Sequence, residues 1–140
     1  MFESLTRYLE ILKDRDYGEF IPCEKDENGV YVLRGFQYSK NVNMLEQDIY
    51  SFAEKHPKFN HTKYFKILEE NNIDLQDPSL FKNKIQNLDP KIVFVVLFSL
   101  IRAEHFCEGA IMSSLKEGKI QECLKALMDF DNVHSQGNVK

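Results

Sequence analysis

Five reactive side chains fall within eight residues: Arg102-Ala103-Glu104-His105-Phe106-Cys107-Glu108-Gly109 holds a guanidinium, two carboxylates, an imidazole and a thiol. The segment follows directly on an apolar run, Ile92 to Ile101. If the helix of that run continues at about 100° per residue, Leu97, Ile101, Glu104 and Glu108 fall on one stripe that begins as core and ends in two acids. A partly buried carboxylate needs a partner, because without one it protonates or destabilises the fold. Arg102 lies about 200° around that helix from Glu104, so each must meet a residue of another element. Glu104 is then a candidate general acid or base. Arg102 is a candidate anion anchor, its planar fork suited to carboxylate or phosphate. The simpler role for Arg102 is to fix a loop through backbone carbonyls. Arg102, Glu104 and Glu108 form the candidate ligand-binding set, and Glu104, His105 and Cys107 the candidate catalytic set.

A Cys107 nucleophile activated by His105 fails on one helix, since residues two apart point in nearly opposite directions. A base would have to come from His61 or His56. Cysteine is among the most buried residue types, so Cys107 is expected to pack as a small apolar group. Glu104, His105 and Glu108 resemble half of a carboxylate-bridged metal centre, but such centres repeat Glu-x-x-His on two helices. Here the local order is His-x-x-Glu with no second copy, and Glu69, Glu70 or His61 would have to complete the set. Buried ion pairs at the end of the core helix are the simpler expectation; no metal and no cofactor is expected.

The elements that must position this segment are legible from spacing. The 92–101 run is apolar around its whole circumference, so its helix must be covered on all sides. Asp89-Pro90 opens it, a capping carboxylate before a proline whose missing N–H costs nothing there, and Asp77-Pro78 should open another. Phe2, Leu5, Leu9 and Leu12 make one stripe of an amphipathic first helix. Leu45, Ile49 and Phe52 mark a helix capped by Asn43 and stopped at His56 by Pro57. Tyr64, Phe65 and Leu68 form the inner side of the next, which ends at Asn71-Asn72. Gly109 bends the chain, Gly118 ends a short stretch, and Ile120, Cys123, Leu124, Leu127 and Met128 mark a last helix. Between them, Phe20-Ile21-Pro22 and Val30-Tyr31-Val32-Leu33 flank Asn28-Gly29, the signature of a hairpin. The expectation is a mainly α fold: a five- or six-helix bundle around a central apolar helix, with a small β-hairpin near residues 20–36. Residues 1–130 form a single helical domain and 131–140 a flexible polar tail in which His134 is solvated.

Composition bounds the function classes. The chain has 18 Lys and Arg against 22 Asp and Glu, a formal net charge of −4, with 17 Phe and Tyr rings and no Trp. Scattered basic residues in a net acidic chain make nucleic acid an unlikely partner. The apolar run has ten residues, about half of what a membrane-spanning helix requires. No basic, apolar and small-residue leader is read at the start, giving a cytoplasmic expectation. Cys23, Cys107 and Cys123 fit neither a disulfide framework nor a paired zinc motif and read as reduced thiols.

The segment from Arg102 to Gly109, continued by Ala110-Ile111, Glu117-Gly118-Lys-Ile120 and Leu124-x-x-Leu127, resembles a family of small bacterial and phage proteins classed as a domain of unknown function. The family pattern reads Arg-x-Glu-Arg-Phe-Cys-x-Gly. Arg102, Glu104, Phe106, Cys107, Gly109 and Gly118 match it, and His105 stands in place of the usual arginine. Tyr38-Ser39-x-x-Val42 is a weaker upstream match. The resemblance implies a bacterial or phage origin, a mostly helical fold and the 102–109 segment as the functional locus, and names no reaction. No complete catalytic constellation assembles locally, so the favoured expectation is a binding or regulatory module for a protein partner, a second copy of the chain or a small ligand. The alternative is a hydrolase- or transferase-type enzyme using Glu104 and Arg102.

Overall fold

The computed structural model describes residues 1–21, 24–32 and 35–137, and the side chains of all of these except residues 24, 31, 32 and 135–137. The ten-residue apolar run lies within helix α5, Pro90–Arg102, where every residue from Val93 to Ile101 is buried. Asp89 caps α5 by accepting from the Lys91 N–H at 2.8 Å, with Pro90 in the first turn. Ser99, the one polar residue in the run, returns its hydroxyl to the Val96 carbonyl at 2.7 Å, so no polar group is orphaned at the centre.

The helices around α5 are built from the expected stripes. The first is split at Arg7 into α1, Glu3–Thr6, and α2, Tyr8–Ile11. Helix α3 spans Lys40–Lys55, α4 Tyr64–Glu70, α6 Ala110–Lys116 and α7 Lys119–Gly137. α5 packs against α7, α4, α6 and α3, and α1 and α2 bridge α3 and α7. Phe2, Phe52, Phe59 and Phe94 make a cluster of tilted and edge-on rings where α1, α3 and α5 meet, with centroids 4.9–6.1 Å apart.

Several local expectations are corrected. The cap of α3 is Ser39, whose side chain accepts from the Val42 N–H, and not Asn43; it lies four residues earlier than expected because the exposed Lys40 and Asn41 add nothing to the apolar pattern. Pro57 stops α3 as expected, with His56 outside the helical region at φ −127°, ψ 64°. Asn72 takes the left-handed conformation after α4. Asp77-Pro78 opens a π-helical turn over Leu80–Lys84, followed by a 3₁₀ turn over Ile85–Asn87, in place of an α-helix. Residues five apart sit about 140° apart on an α-helix. The wider π winding brings Leu80, Phe81 and Ile85 to the core together. Helix α7 runs to Gly137, past the point where the tail was expected, and Asp131 accepts from the Phe2 N–H at 2.7 Å.

The hairpin is present as two short antiparallel ribbons. β1, Gly18–Phe20, pairs with β4, Phe36–Tyr38; β2, Glu24–Lys25, pairs with β3, Tyr31–Val32. The turn is wider than a two-residue Asn-Gly loop. The Asp26 carboxylate accepts from the Asn28 and Val30 N–H groups, and only Gly29 adopts positive φ, at 78°. Pro22, Cys23, Leu33 and the last three residues of the expected tail lie outside the described residues.

Candidate functional site

Helix α5 ends at Arg102, so Glu104 and Glu108 do not extend its stripe. Ala103–His105 is a 3₁₀ turn, and Gly109 at φ 89° reverses the chain into α6. That reversal places a glycine at the cap of α6, where no side chain is available to satisfy the free N–H groups of the first turn. Residues elsewhere do so instead. Glu104 Oε2 accepts from Gly109 N–H at 2.7 Å and Glu104 Oε1 from Ile111 N–H at 2.9 Å. The Cys107 carbonyl takes Ala110 N–H, and the Tyr38 hydroxyl takes Met112 N–H at 3.1 Å. The Tyr38 hydroxyl donates to Glu104 Oε1 at 2.5 Å. Burial first, and then the Glu104 carboxylate, push the Tyr38 phenol well above its ordinary range, so it serves only as a neutral donor and acceptor.

Glu108 works on the other side of the turn. Its Oε1 accepts from Phe36 N–H at 2.9 Å, tying the start of β4 to the turn. The approach needs glycine at two places: a Cβ on Gly35 would overlap the Glu108 carboxylate, and one on Gly109 would overlap the Phe36 ring. Phe20, Phe36 and Tyr38 line up along the ribbon, with centroids 5.1 and 6.3 Å apart. The two acids are therefore backbone acceptors that clamp the ribbon, the turn and α6 together. They converge neither on Arg102 nor on a common cleft.

His105 is exposed and lies 3.3 Å by Nε2 from the Tyr50 hydroxyl. Glu46, one turn before Tyr50 on α3, is half-buried. Burial raises its pKa, His105 opposes the rise and Glu104 adds to it. Arg102 is partly buried, and its guanidinium has neither a hydrogen bond nor an ion pair among the described residues. Cys107 is exposed, correcting the expectation of a packed thiol; Cys123 is the buried one, and burial pushes its thiol up. His56 stacks on Phe52 and pairs through Nδ1 with the Phe52 carbonyl, while His61 lies edge-on to Phe98 with a buried Nδ1 that has no partner. His134 is exposed, as expected, and its ring lies tilted against Phe130, with centroids 3.9 Å apart. Among the described residues no three His, Cys, Asp or Glu are grouped to hold a metal, and no helix is long and apolar enough to cross a membrane.

Beside the clamp lies an apolar groove of about 290 Å³, walled by Tyr64, Leu68, Leu75, Ala103 and Cys107. Phe65 and Phe106 stand on its rim, 71% and 73% exposed. The expectation that Phe65 faces inward is thus overturned: on the seven-residue α4, Leu68 takes the core position and Phe65 turns outward. The partners of the acids, Tyr38, Phe36 and Gly35, were not among the site residues expected from sequence. Of these only Tyr38 carried a signal, the upstream match at Tyr38-Ser39-x-x-Val42, and the structure joins that segment to Glu104 through the Tyr38 hydroxyl while Ser39 caps α3.

Fold and site together define a mainly α domain whose polar turn is a structural clamp flanked by an apolar groove. The chain belongs to a family of unknown function, DUF6508, whose model matches residues 2–132. No curated protein matches the chain, and no solved structure does.

Proposed function

We propose that this domain is a non-catalytic binding module that docks protein through the groove beside the clamp, with a second copy of the chain as the occupant. The observation that carries the reading is the pair of rim rings: Phe65 and Phe106 are large, apolar and mostly in water, next to a groove that can receive such a ring. A projecting ring beside a recess on one patch is the arrangement an isologous two-fold contact requires, each copy giving Phe106 to the other's groove. The groove lies at the small end of the range for small-molecule sites, about 300–1,000 Å³, and its walls offer few polar groups to orient a polar ligand. A side chain fits it better than a cofactor. A bacterial or phage origin and a cytoplasmic location complete the reading.

The hydrolase or transferase alternative loses support where Glu104 is concerned. A carboxylate that already accepts three hydrogen bonds from Tyr38, Gly109 and Ile111 has little capacity left as an acid or base. Light scattering over a concentration series tests the proposal. The chain is expected to move from monomer to dimer, and Phe106→Ser to hold it monomeric with unchanged Tm. A parent chain that stays monomeric at about 0.5 mM, well above the micromolar range of ordinary specific contacts, would defeat it.

A further inference from the structure

On a different face, between α2 and the α6–α7 junction, lies a cavity of about 330 Å³. Its floor is apolar, from Leu9, Leu12, Leu115, Ile120 and Leu124. Its polar lining carries Lys13, Arg15, Lys116 and Lys125 against Glu117 and Glu122, a local excess of two positive charges in a chain of net charge −4. Lys13 pairs with Glu10 and Lys125 with Glu122, while Glu117 pairs with Lys119. The uncompensated cations are Arg15 and Lys116, which have no ion-pair partner among the described residues.

Two further features mark the place. Arg15 holds φ at 63°, a conformation that glycine or asparagine adopts far more cheaply, just after α2, where its N–H bonds the Leu12 carbonyl. Gln121, in the wall, donates through Nε2 to the Leu115 carbonyl at 2.9 Å and to the Tyr17 hydroxyl at 3.1 Å, which leaves its Oε1 buried with no donor.

We infer that this cavity binds a small amphipathic anion: an oxyanion head, carboxylate or phosphate, between Arg15 and Lys116, and a short apolar body on the leucine floor. A pocket with an apolar floor and a few convergent polar groups is the usual form of a small-ligand site. Charge-assisted bonds from a guanidinium and an ammonium are the strong class of hydrogen bond for such a head. The inference stands apart from the groove and its docking role.

The experiment is a titration followed by amide NMR, with hexanoate and hexyl phosphate as probes and inorganic phosphate as the tail-less control. Saturable shifts are expected at the 115–121 amides and the Gln121 side-chain amide, with phosphate at least about tenfold weaker. Arg15→Gly relieves the backbone conformation, so its Tm is expected to rise by roughly 3 °C while probe affinity falls at least about tenfold. Lys116→Ala is expected to weaken binding without moving Tm. The inference is overturned if neither probe gives saturable shifts by about 10 mM, a concentration beyond any useful affinity. It is equally overturned if phosphate binds as tightly as the tailed probes, or if both variants bind like the parent chain.

Discussion

Replacing Glu104 by Gln separates a clamp from a catalyst. The carboxylate accepts three hydrogen bonds, from the Tyr38 hydroxyl and from the Gly109 and Ile111 N–H groups. An amide keeps one oxygen. With that oxygen at the Oε1 position, the Tyr38 and Ile111 bonds survive as neutral ones, each weakened by about 1 kcal/mol. The new NH₂ then opposes the Gly109 N–H, and a part-buried donor is left unmet at about 1–3 kcal/mol. The total loss is about 3–5 kcal/mol, or about 10–15 °C in Tm for a chain of this size. Urea unfolding measures the loss, and hydrogen exchange locates it: protection is expected to fall first at the amides of Gly109, Ile111 and Met112. A loss under about 1 kcal/mol with unchanged exchange at those amides would refute the clamp. Full stability combined with loss of a measurable turnover would restore Glu104 as an acid or base.

Gly109→Ala forces a left-handed residue and an overlap with the Phe36 ring, and is expected to cost more than about 2 kcal/mol in chemical denaturation. Gly35→Ala displaces the Glu108 carboxylate from the Phe36 N–H; in a double-mutant cycle with Glu108→Ala its cost is expected to shrink by about 1 kcal/mol, because the bond it breaks is already gone. Glu46 titrates above its ordinary value in the fold, so the folded state holds a proton that the unfolded state has released, and stability falls as pH rises from about 4.5 through the raised pKa. Glu46→Gln is therefore expected to raise Tm at pH 7 and to leave it unchanged near pH 4, where both states are protonated; thermal melts across that range check the sign, with Glu104 and His105 as the neighbouring charges.

The architecture was legible where one residue type has one inexpensive place to go. A ten-residue apolar run uniform around its circumference fits a covered helix, and Asp89 before Pro90 caps its start, so α5 follows from sequence. Pro57 and Asn72 end their helices for the same local reason. The density of polar groups from Arg102 to Gly109 also located the turn. What sequence could not supply was the partner of each group, because partners are chosen by packing between segments far apart in the chain. Tyr38 lies 66 residues from Glu104 and Phe36 72 residues from Glu108. Only the folded chain shows that the acids extended as one helical stripe are instead split by the reversal at Gly109, one capping α6 and the other holding a strand. Exposure was decided in the same way. Phe65 and Cys107 belong to residue types that are usually buried, and composition alone sends both inside; the short α4 turns Phe65 outward, and the turn after α5 leaves Cys107 at the groove.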